Sequence, residues 1–404
     1  MILRDHRTAT APTQGPTFVA GFVAAGIHCG IKTSGALDLS LVATGDGHPV
    51  RALATFTANR ACAAPVRVSR AHLESSHGAA AGVVVNSGNA NAATGAAGMA
   101  VAEEATALVA AGLGCHADQV LVCSTGLIGI PLAADPFRTG VPMLVAALDA
   151  DGGPLAAAAI MTTDTVAKLV EVEVADDDEH LGFRIGGMAK GAAMLAPNMA
   201  TMLAVLTTDA EIDRDDPVLA RAVAESFNRL SVDGCTSTND TVILLANGNA
   251  GRPDAAVFEA GLTAALRSLA RQMCDDAEGA TKTVTITVTG ATDDAAADAA
   301  ARKVADSNLC KCSWYGNDPY WGRILSELGT AGVELDEDTV SIAYGGTVVS
   351  RGLEGVTHDH AAVTTHMEGR ELEITCDLGV GTASAWILTN DLTHAYIDEN
   401  RGTS

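Results

Sequence analysis

Runs of valine, isoleucine and leucine alternate with alanine-rich, helix-forming segments along this chain, and that alternation limits it to a mixed fold. GVVVN (82–86) reads as a strand, followed by the loop SGNANAATGAAG and the helix MAVAEEATALVAAGL (99–113). QVLVCS (119–124) is a second strand, ending in the turn TGLIG (125–129). LVEVEV (169–174) and LGFRI (181–185) form a hairpin pattern around the acidic ADDDEH. DRDDPVLARAVAESFNRL (213–230) opens with acidic residues and a proline, which suits a helix start. TVILLAN (241–247) is a strand, and VFEAGLTAALRSLARQMCDDAEG (257–279) is the longest helix candidate, stopped by Gly279. KTVTITVTG (282–290) opens a last segment with helices at 294–306 and 318–329 and strands near 340–350, 371–376 and 383–389. The pattern supports an α/β or α+β fold, and periodicity does not choose between them.

Composition narrows the class. The 404 residues suggest two or three domains, and 48% hydrophobic against 18% charged residues is a globular balance. Aromatics are only 3%, so the cores must be built from Ala, Val, Leu and Ile. No apolar run approaches the ~18–20 residues of a membrane span. The opening MILRDHRTATAPTQGP lacks the apolar stretch of a secretory signal, so a cytoplasmic protein without a membrane partner is expected. A net charge of −24 without a basic patch argues against nucleic acid. Nine scattered cysteines fit reduced thiols. Cys310 and Cys312 have no second ligand pair at zinc spacing, and His358, His360 and His366 lie in a polar segment, THDHAAVTTH (357–366), between strands. No metal site is expected.

Several common chemistries are missing: there is no G-x-S-x-G elbow, S-x-x-K, phosphate-binding Walker loop or H-E-x-x-H. Three polar segments remain: NSGNANAATG (86–95), CSTGLIG (123–129) and DGCTSTNDT (233–241). Each alone reads as an ordinary turn. Together they offer many small donors and few strong bases, which suits a polar zwitterion and a stabilised oxyanion. Thr201 stands in the apolar run AKGAAMLAPNMATMLAVLTTDA (189–210). Such a threonine is ordinarily a strand residue bonding a carbonyl. As a nucleophile it needs a base, and its own α-amino group, with a reference pKa of ~7.7–8.0, becomes one if the Ala200–Thr201 bond breaks.

KGAAMLAPNMATMLAVLTTDA closely resembles the autocleavage segment of the ornithine acetyltransferases of arginine biosynthesis, also called glutamate N-acetyltransferases. GIKTSGALDLSL (30–41), FTANRACAAPV (56–66), NSGNANAATG, CSTGLIG, AIMTTDT (159–165), DGCTSTNDT, DAEGATK (276–282), GNDPYWGR (316–323) and LTHAYIDEN (392–400) resemble that family too, in its order. The resemblance implies a layered α-β-β-α sandwich core of the ornithine acetyltransferase/DmpA-like type with a smaller C-terminal α/β part. It implies cleavage between Ala200 and Thr201 into an α chain, 1–200, and a β chain, 201–404. Residues 201–280 would complete the catalytic core and 281–404 would form the smaller domain.

By the same resemblance Thr201 is the nucleophile, and Thr125 and Gly126 form the oxyanion hole. Thr162, Lys190, Thr201, Glu278, Asn400 and Ser404 bind substrate. Acetyl passes from N2-acetylornithine through acetyl-Thr201 to glutamate, without a cofactor, with acetyl-CoA as an additional donor in the bifunctional members. An α2β2 heterotetramer of the two fragments is implied. The chain departs from the family at 309–313 (LCKCS), at Tyr320 and at Cys235, none of which is the nucleophile or the oxyanion hole. An N-terminal-nucleophile hydrolase or aminopeptidase shares the Thr201 logic but predicts release without an acceptor amine. A non-enzymatic small-molecule binder would keep an intact chain.

Overall fold

The computed structural model describes residues 1–404 except 6, 9, 177–179, 196–201 and 402–404. In chain order it runs β1 (Ile2–Arg4), β2 (Phe22–Ile27), β3 (Leu39–Thr44), β4 (Val50–Phe56), α1 (Ala64–Ser75), β5 (Ala79–Ala80), β6 (Gly82–Asn89), α2 (Gly95–Leu113), β7 (Val120–Leu127), α3 (Asp135–Ala146), α4 (Gly153–Ile160), β8 (Lys168–Val174) and β9 (Phe183–Lys190). It continues with β10 (Leu203–Ala210), α5 (Val218–Ala224), β11 (Thr241–Gly251), α6 (Ala255–Asp275), β12 (Thr283–Ala291), α7 (Asp294–Ala305), α8 (Asn308–Tyr315), α9 (Trp321–Gly329), β13 (Ser341–Tyr344), β14 (Thr347–Arg351), β15 (Glu354–Gly355), α10 (His360–Glu368), β16 (Glu371–Asp377), β17 (Ala383–Asn390) and α11 (His394–Asn400).

Among the described residues the strands form three sheets. Their orders are β1-β8-β9-β10-β11-β4-β5, β2-β3-β6-β7 and β15-β14-β13-β16-β12-β17. The first two stack face to face. On β10, Leu203 and Val205 join Val83, Val85 and Leu121 in the core between the sheets. Ala204 and Leu206, on the other face, pack with α5 and α6 through Leu219, Val223, Leu262 and Leu266. On β6 and β7, Val84 and Val122 turn outward onto α2 and α3 through Val109, Val141 and Leu144. The result is a layered α-β-β-α sandwich. Its central strands are covered on both faces, so they read as unbroken apolar runs instead of alternating ones.

The third sheet has its own core, in which Val284, Ile286 and Ile374 pack against Ala300, Val304, Trp314 and Leu328. Small residues dominate the helices here and in the sandwich, in line with the scarcity of aromatics. Alanine also makes α2 long and apolar enough, by length and composition, to cross a membrane. It carries Glu103 and Glu104, the latter ion-paired to Arg138, and packs Ala102, Ala105 and Val109 on the sheet.

Some elements differ from the sequence expectation. The helix expected at 318–329 is α9, starting at Trp321 just past Pro319, and α8 before it, capped by Ser307, is a further helix that was not expected. The helix expected over 213–230 is reduced to α5 and a short 3-10 turn at Phe227–Arg229. The polar segment 357–366 is mostly helical: Asp359 accepts from the N–H groups of Ala361 and Ala362, both at 3.0 Å, and starts α10. Two of its three histidines are satisfied locally, His358 Nδ1 lying 2.7 Å from Val356 O and His366 Nε2 accepting from the Glu373 N–H at 2.9 Å. The hairpin of β8 and β9 is antiparallel from Lys168↔Ala189 to Val174↔Phe183, while the centre of its acidic tip lies outside the described residues.

Candidate active site

Thr125 and Gly126 lie inside the C-terminal end of β7 and not in a turn beyond it. They pair in parallel with Ser87 and Gly88 of β6, and the register shifts at Gly88/Asn89. This is a place only glycine can fill. Gly126 has φ +131°, and a Cβ there would stand 2.3 Å from the Gly88 carbonyl carbon. The missing side chain lets two strand backbones meet at the floor of a cavity of about 390 Å³.

The cavity gathers Lys32, Gly88, Thr125, Thr162, Lys190 and Glu278, with Ser237, Asn239 and Asn400 completing its wall. Lys190 ends β9 almost fully buried, and its Nζ donates to Thr162 Oγ1 at 2.7 Å. Asp164 Oδ2 lies 3.8 Å from the same ammonium. Asp164 Oδ1 accepts from Lys168 Nζ and from the Gly191 N–H, both at 2.7 Å. Lys168 in turn donates to Asp276 Oδ2 at 2.6 Å, which also accepts from the Thr165 N–H. These contacts tie AIMTTDT to DAEGATK and set the position of Glu278. The Glu278 N–H donates to Ala192 O at 2.9 Å, and its Oε2 accepts from Asn400 Nδ2 at 2.6 Å. Asn239 Nδ2 donates to Ala90 O and Ser124 O, fastening DGCTSTNDT over the ends of β6 and β7.

Burial governs the charges. It lowers the Lys190 ammonium, and Asp164 only partly offsets that. Burial would raise the Asp164 carboxyl, but Lys190 and Lys168 outweigh it and hold it below the usual carboxylate range. Asp240 goes the other way: burial raises it well above its ordinary value, outweighing the Met202 N–H bonded to its Oδ1. The described chain resumes at Met202, so this 2.9 Å bond fixes the start of β10 beside Lys190, which pairs with Leu203.

Thr125, Gly126, Thr162, Lys190, Glu278 and Asn400 therefore come together in one cavity from five separate parts of the chain. Ala200, Thr201 and Ser404 lie outside the described residues. Sequence reasoning gave no role to Lys32, Asp164, Lys168 or Asp240. Lys32, Asp164 and Asp240 sit inside GIKTSGALDLSL, AIMTTDT and DGCTSTNDT, so their signal was motif membership alone. Lys168, just after AIMTTDT, had no signal beyond its four-residue spacing from Asp164. Cys310 is buried in the core of the third sheet and Cys312 is exposed, on a helix remote from these residues in sequence.

The model of the ArgJ family matches residues 23–402. The arginine biosynthesis bifunctional protein ArgJ of Thermobifida fusca is 46% identical over 95% of this chain and 98% of its own length. Its counterpart in Mycobacterium leprae is 44% identical over 99% and 98%. Among solved structures, the ornithine acetyltransferase of Mycobacterium tuberculosis in complex with ornithine is 43% identical, covering 48% of this chain and 98% of that one at a TM-score of 0.43. With the family model spanning nearly the whole length and relatives this similar over nearly all of it, the chain belongs to the ArgJ family.

Proposed function

We propose that this protein is a self-cleaving acetyltransferase of arginine biosynthesis that moves acetyl from N2-acetylornithine to glutamate. The observation that carries the reading is the single cavity in which Thr125, Gly126, Thr162, Lys190, Glu278 and Asn400 meet. Its contents match the substrates: an ammonium for the α-carboxylate, a carboxylate with Asn400 for the δ-ammonium of ornithine, and a strand end for an oxyanion.

In this reading Thr201 Oγ first attacks the Ala200 carbonyl, breaking the C–N bond frees the Thr201 amine and leaves an ester, and water hydrolyses that ester to release the Ala200 carboxylate and restore Oγ. The fragments 1–200 and 201–404 stay together, with 201–280 completing the sandwich and 281–404 forming the smaller domain. Two such pairs form an α2β2 heterotetramer in the cytoplasm. For transfer, the free amine takes the Oγ proton as Oγ attacks the acetyl carbonyl of N2-acetylornithine. Thr125 and the Gly126 N–H receive the oxyanion, at roughly 3–4 kcal/mol per donor in comparable sites. The C–N bond breaks, the α-ammonium protonates the leaving nitrogen, and ornithine departs. The neutral amine of glutamate then attacks acetyl-Thr201, the amine loses its proton as Oγ regains one, and N-acetylglutamate leaves. An amide is exchanged for an amide, so no nucleotide is consumed. No cofactor takes part, and acetyl-CoA serves as a second donor to the same threonine.

Denaturing gels and mass spectrometry of active enzyme test the cleavage: two near-equal fragments are expected, and Thr201→Ala stays uncut and inactive. A single full-length band from active enzyme overturns it. With both substrates present, N-acetylglutamate must exceed free acetate; the reverse makes the protein a hydrolase.

A further inference from the structure

The cavity holds a second ammonium that the reaction above leaves unused. Lys32 stands in the loop between β2 and β3, and that loop is wrapped around the fully buried carboxylate of Asp38. Asp38 accepts from the N–H groups of Cys29 at 2.6 Å, Gly30 at 3.2 Å, Ile31 at 2.8 Å and Lys32 at 2.9 Å. Burial raises Asp38 while these bonds outweigh it, so the loop is built round a charged carboxylate. The stem of Lys32 then crosses Gly88, where any Cβ would stand 2.9 Å from Lys32 Cγ. Its Nζ donates to Leu37 O at 2.8 Å and Met161 O at 2.7 Å. An ammonium has three protons, and among the described residues two of them are so used.

The two cations are therefore fixed on consecutive residues, Lys32 on the carbonyl of Met161 and Lys190 on the hydroxyl of Thr162. Like charges this close repel, and Asp164 is shared with Lys168. An anion entering the cavity would relieve the pair. On the other side, Glu278 is anchored to Ala192, two residues past Lys190, and to Asn400, whereas Lys32 is anchored to Met161. The cavity thus presents an order of cation, cation and anion: Lys32, Lys190, Glu278.

We propose that Lys32 selects the acceptor, its ammonium receiving the side-chain carboxylate of glutamate while Lys190 holds the α-carboxylate that both substrates carry. This assignment rests on the acetyl-transfer reading. N2-acetylornithine, with one carboxylate and one ammonium, uses Lys190 and Glu278. Glutamate, with two carboxylates, uses Lys190 and Lys32 and keeps its side chain away from Glu278. One cavity then serves two side chains of opposite charge.

The test uses the full-length enzyme, with ornithine release and N-acetylglutamate formation followed separately. Lys32→Met raises KM for glutamate about 10- to 100-fold, the worth of one charge-assisted hydrogen bond. KM for N2-acetylornithine stays within about twofold, because the donor makes no bond to Lys32. Glutamine, which lacks the charge, becomes nearly as good an acceptor as glutamate, and Lys32→Arg retains the native preference. An unchanged KM for glutamate, or an equal rise for both substrates, makes Lys32 a loop fastener and overturns the proposal. Where Lys32→Met yields no folded protein, the native enzyme decides: it favours glutamate over glutamine by about tenfold or more, and equal use refutes the proposal. Native enzyme that forms no N-acetylglutamate removes the acetyl-transfer reading and this assignment with it, whereas failure in the variant alone removes only the role of Lys32.

Discussion

Replacing Gly126 by alanine separates the position of the oxyanion donor from its presence, because the variant keeps the N–H. The native φ of +131° is a conformation open to glycine alone, so the substitution costs about 1–3 kcal/mol of backbone strain. The new methyl would stand 2.3 Å from Gly88 C, 2.5 Å from Asn89 N and 2.7 Å from Gly88 O, all backbone atoms that cannot rotate away. Ordinary contact needs the ends of β6 and β7 to part by about 1 Å, at a further ~1–3 kcal/mol of overpacking. That shift falls on the residues meant to receive the oxyanion, and a misplacement of about 1 Å costs on the order of 100-fold in turnover. Gly129→Ala is the control: φ is +83° there, but nothing lies within 4 Å of the added methyl. It bears the strain without the collision.

The two variants are compared by thermal unfolding and by kcat for N-acetylglutamate formation. Gly126→Ala should melt several degrees below Gly129→Ala and lose about 100-fold in kcat, while Gly129→Ala stays near native turnover. If Gly126→Ala kept kcat within about threefold of native and melted with Gly129→Ala, the meeting of β6 and β7 would not position catalysis.

Two further perturbations probe the buried lysines. Lys190→Met should raise KM for both substrates about 10- to 100-fold, since each presents an α-carboxylate, and steady-state kinetics with either substrate varied would expose an unchanged value. Lys311, on α8, donates to Val232 O at 2.8 Å, Thr389 Oγ1 at 2.6 Å and Asn390 O at 3.0 Å, linking the third sheet to the sandwich. Burial pushes its ammonium down to about 8 from 10.5. Between those values the unfolded chain binds a proton the folded protein has released, so native stability gains roughly 1.4 kcal/mol per pH unit from pH 8 to 10. Lys311→Met lacks that gain, and the gap between the two unfolding curves should widen with pH. A constant gap would mean the amine titrates normally.

Most of the secondary structure was visible in the chain because its signals are local. GVVVN and TVILLAN are unbroken apolar runs, and the double coverage of β6 and β11 explains that pattern afterwards. The sandwich itself was not readable from periodicity: a residue facing the other sheet and one facing a helix are equally apolar, as Leu203 and Ala204 are. The layered order came from family resemblance. The errors were also local in origin. Asp359 was read as part of a polar loop when it caps α10, and α8 was missed although Ser307 supplies its N-cap.

The site was legible only where a motif had a known chemical meaning. Thr125, Gly126, Lys190 and Glu278 could be named by resemblance, but nothing in a linear reading joins Lys32 to Met161 or Lys168 to Asp276. Those bonds span 129 and 108 residues, and they exist only because β2, β3, β8 and α6 come together in the folded sandwich. The distinction is physical. A nucleophile or an oxyanion donor is recognisable from its own atoms, whereas a lysine becomes a binding group through what holds it still and which of its protons is left over. Lys168, saturated by Asp164, Asp276 and Val166 O, is a fastener; Lys190, spread between Thr162 and a distant Asp164 oxygen, retains attraction for a substrate carboxylate. The same residue type has opposite duties in one cluster, and only the count of acceptors around each ammonium separates them.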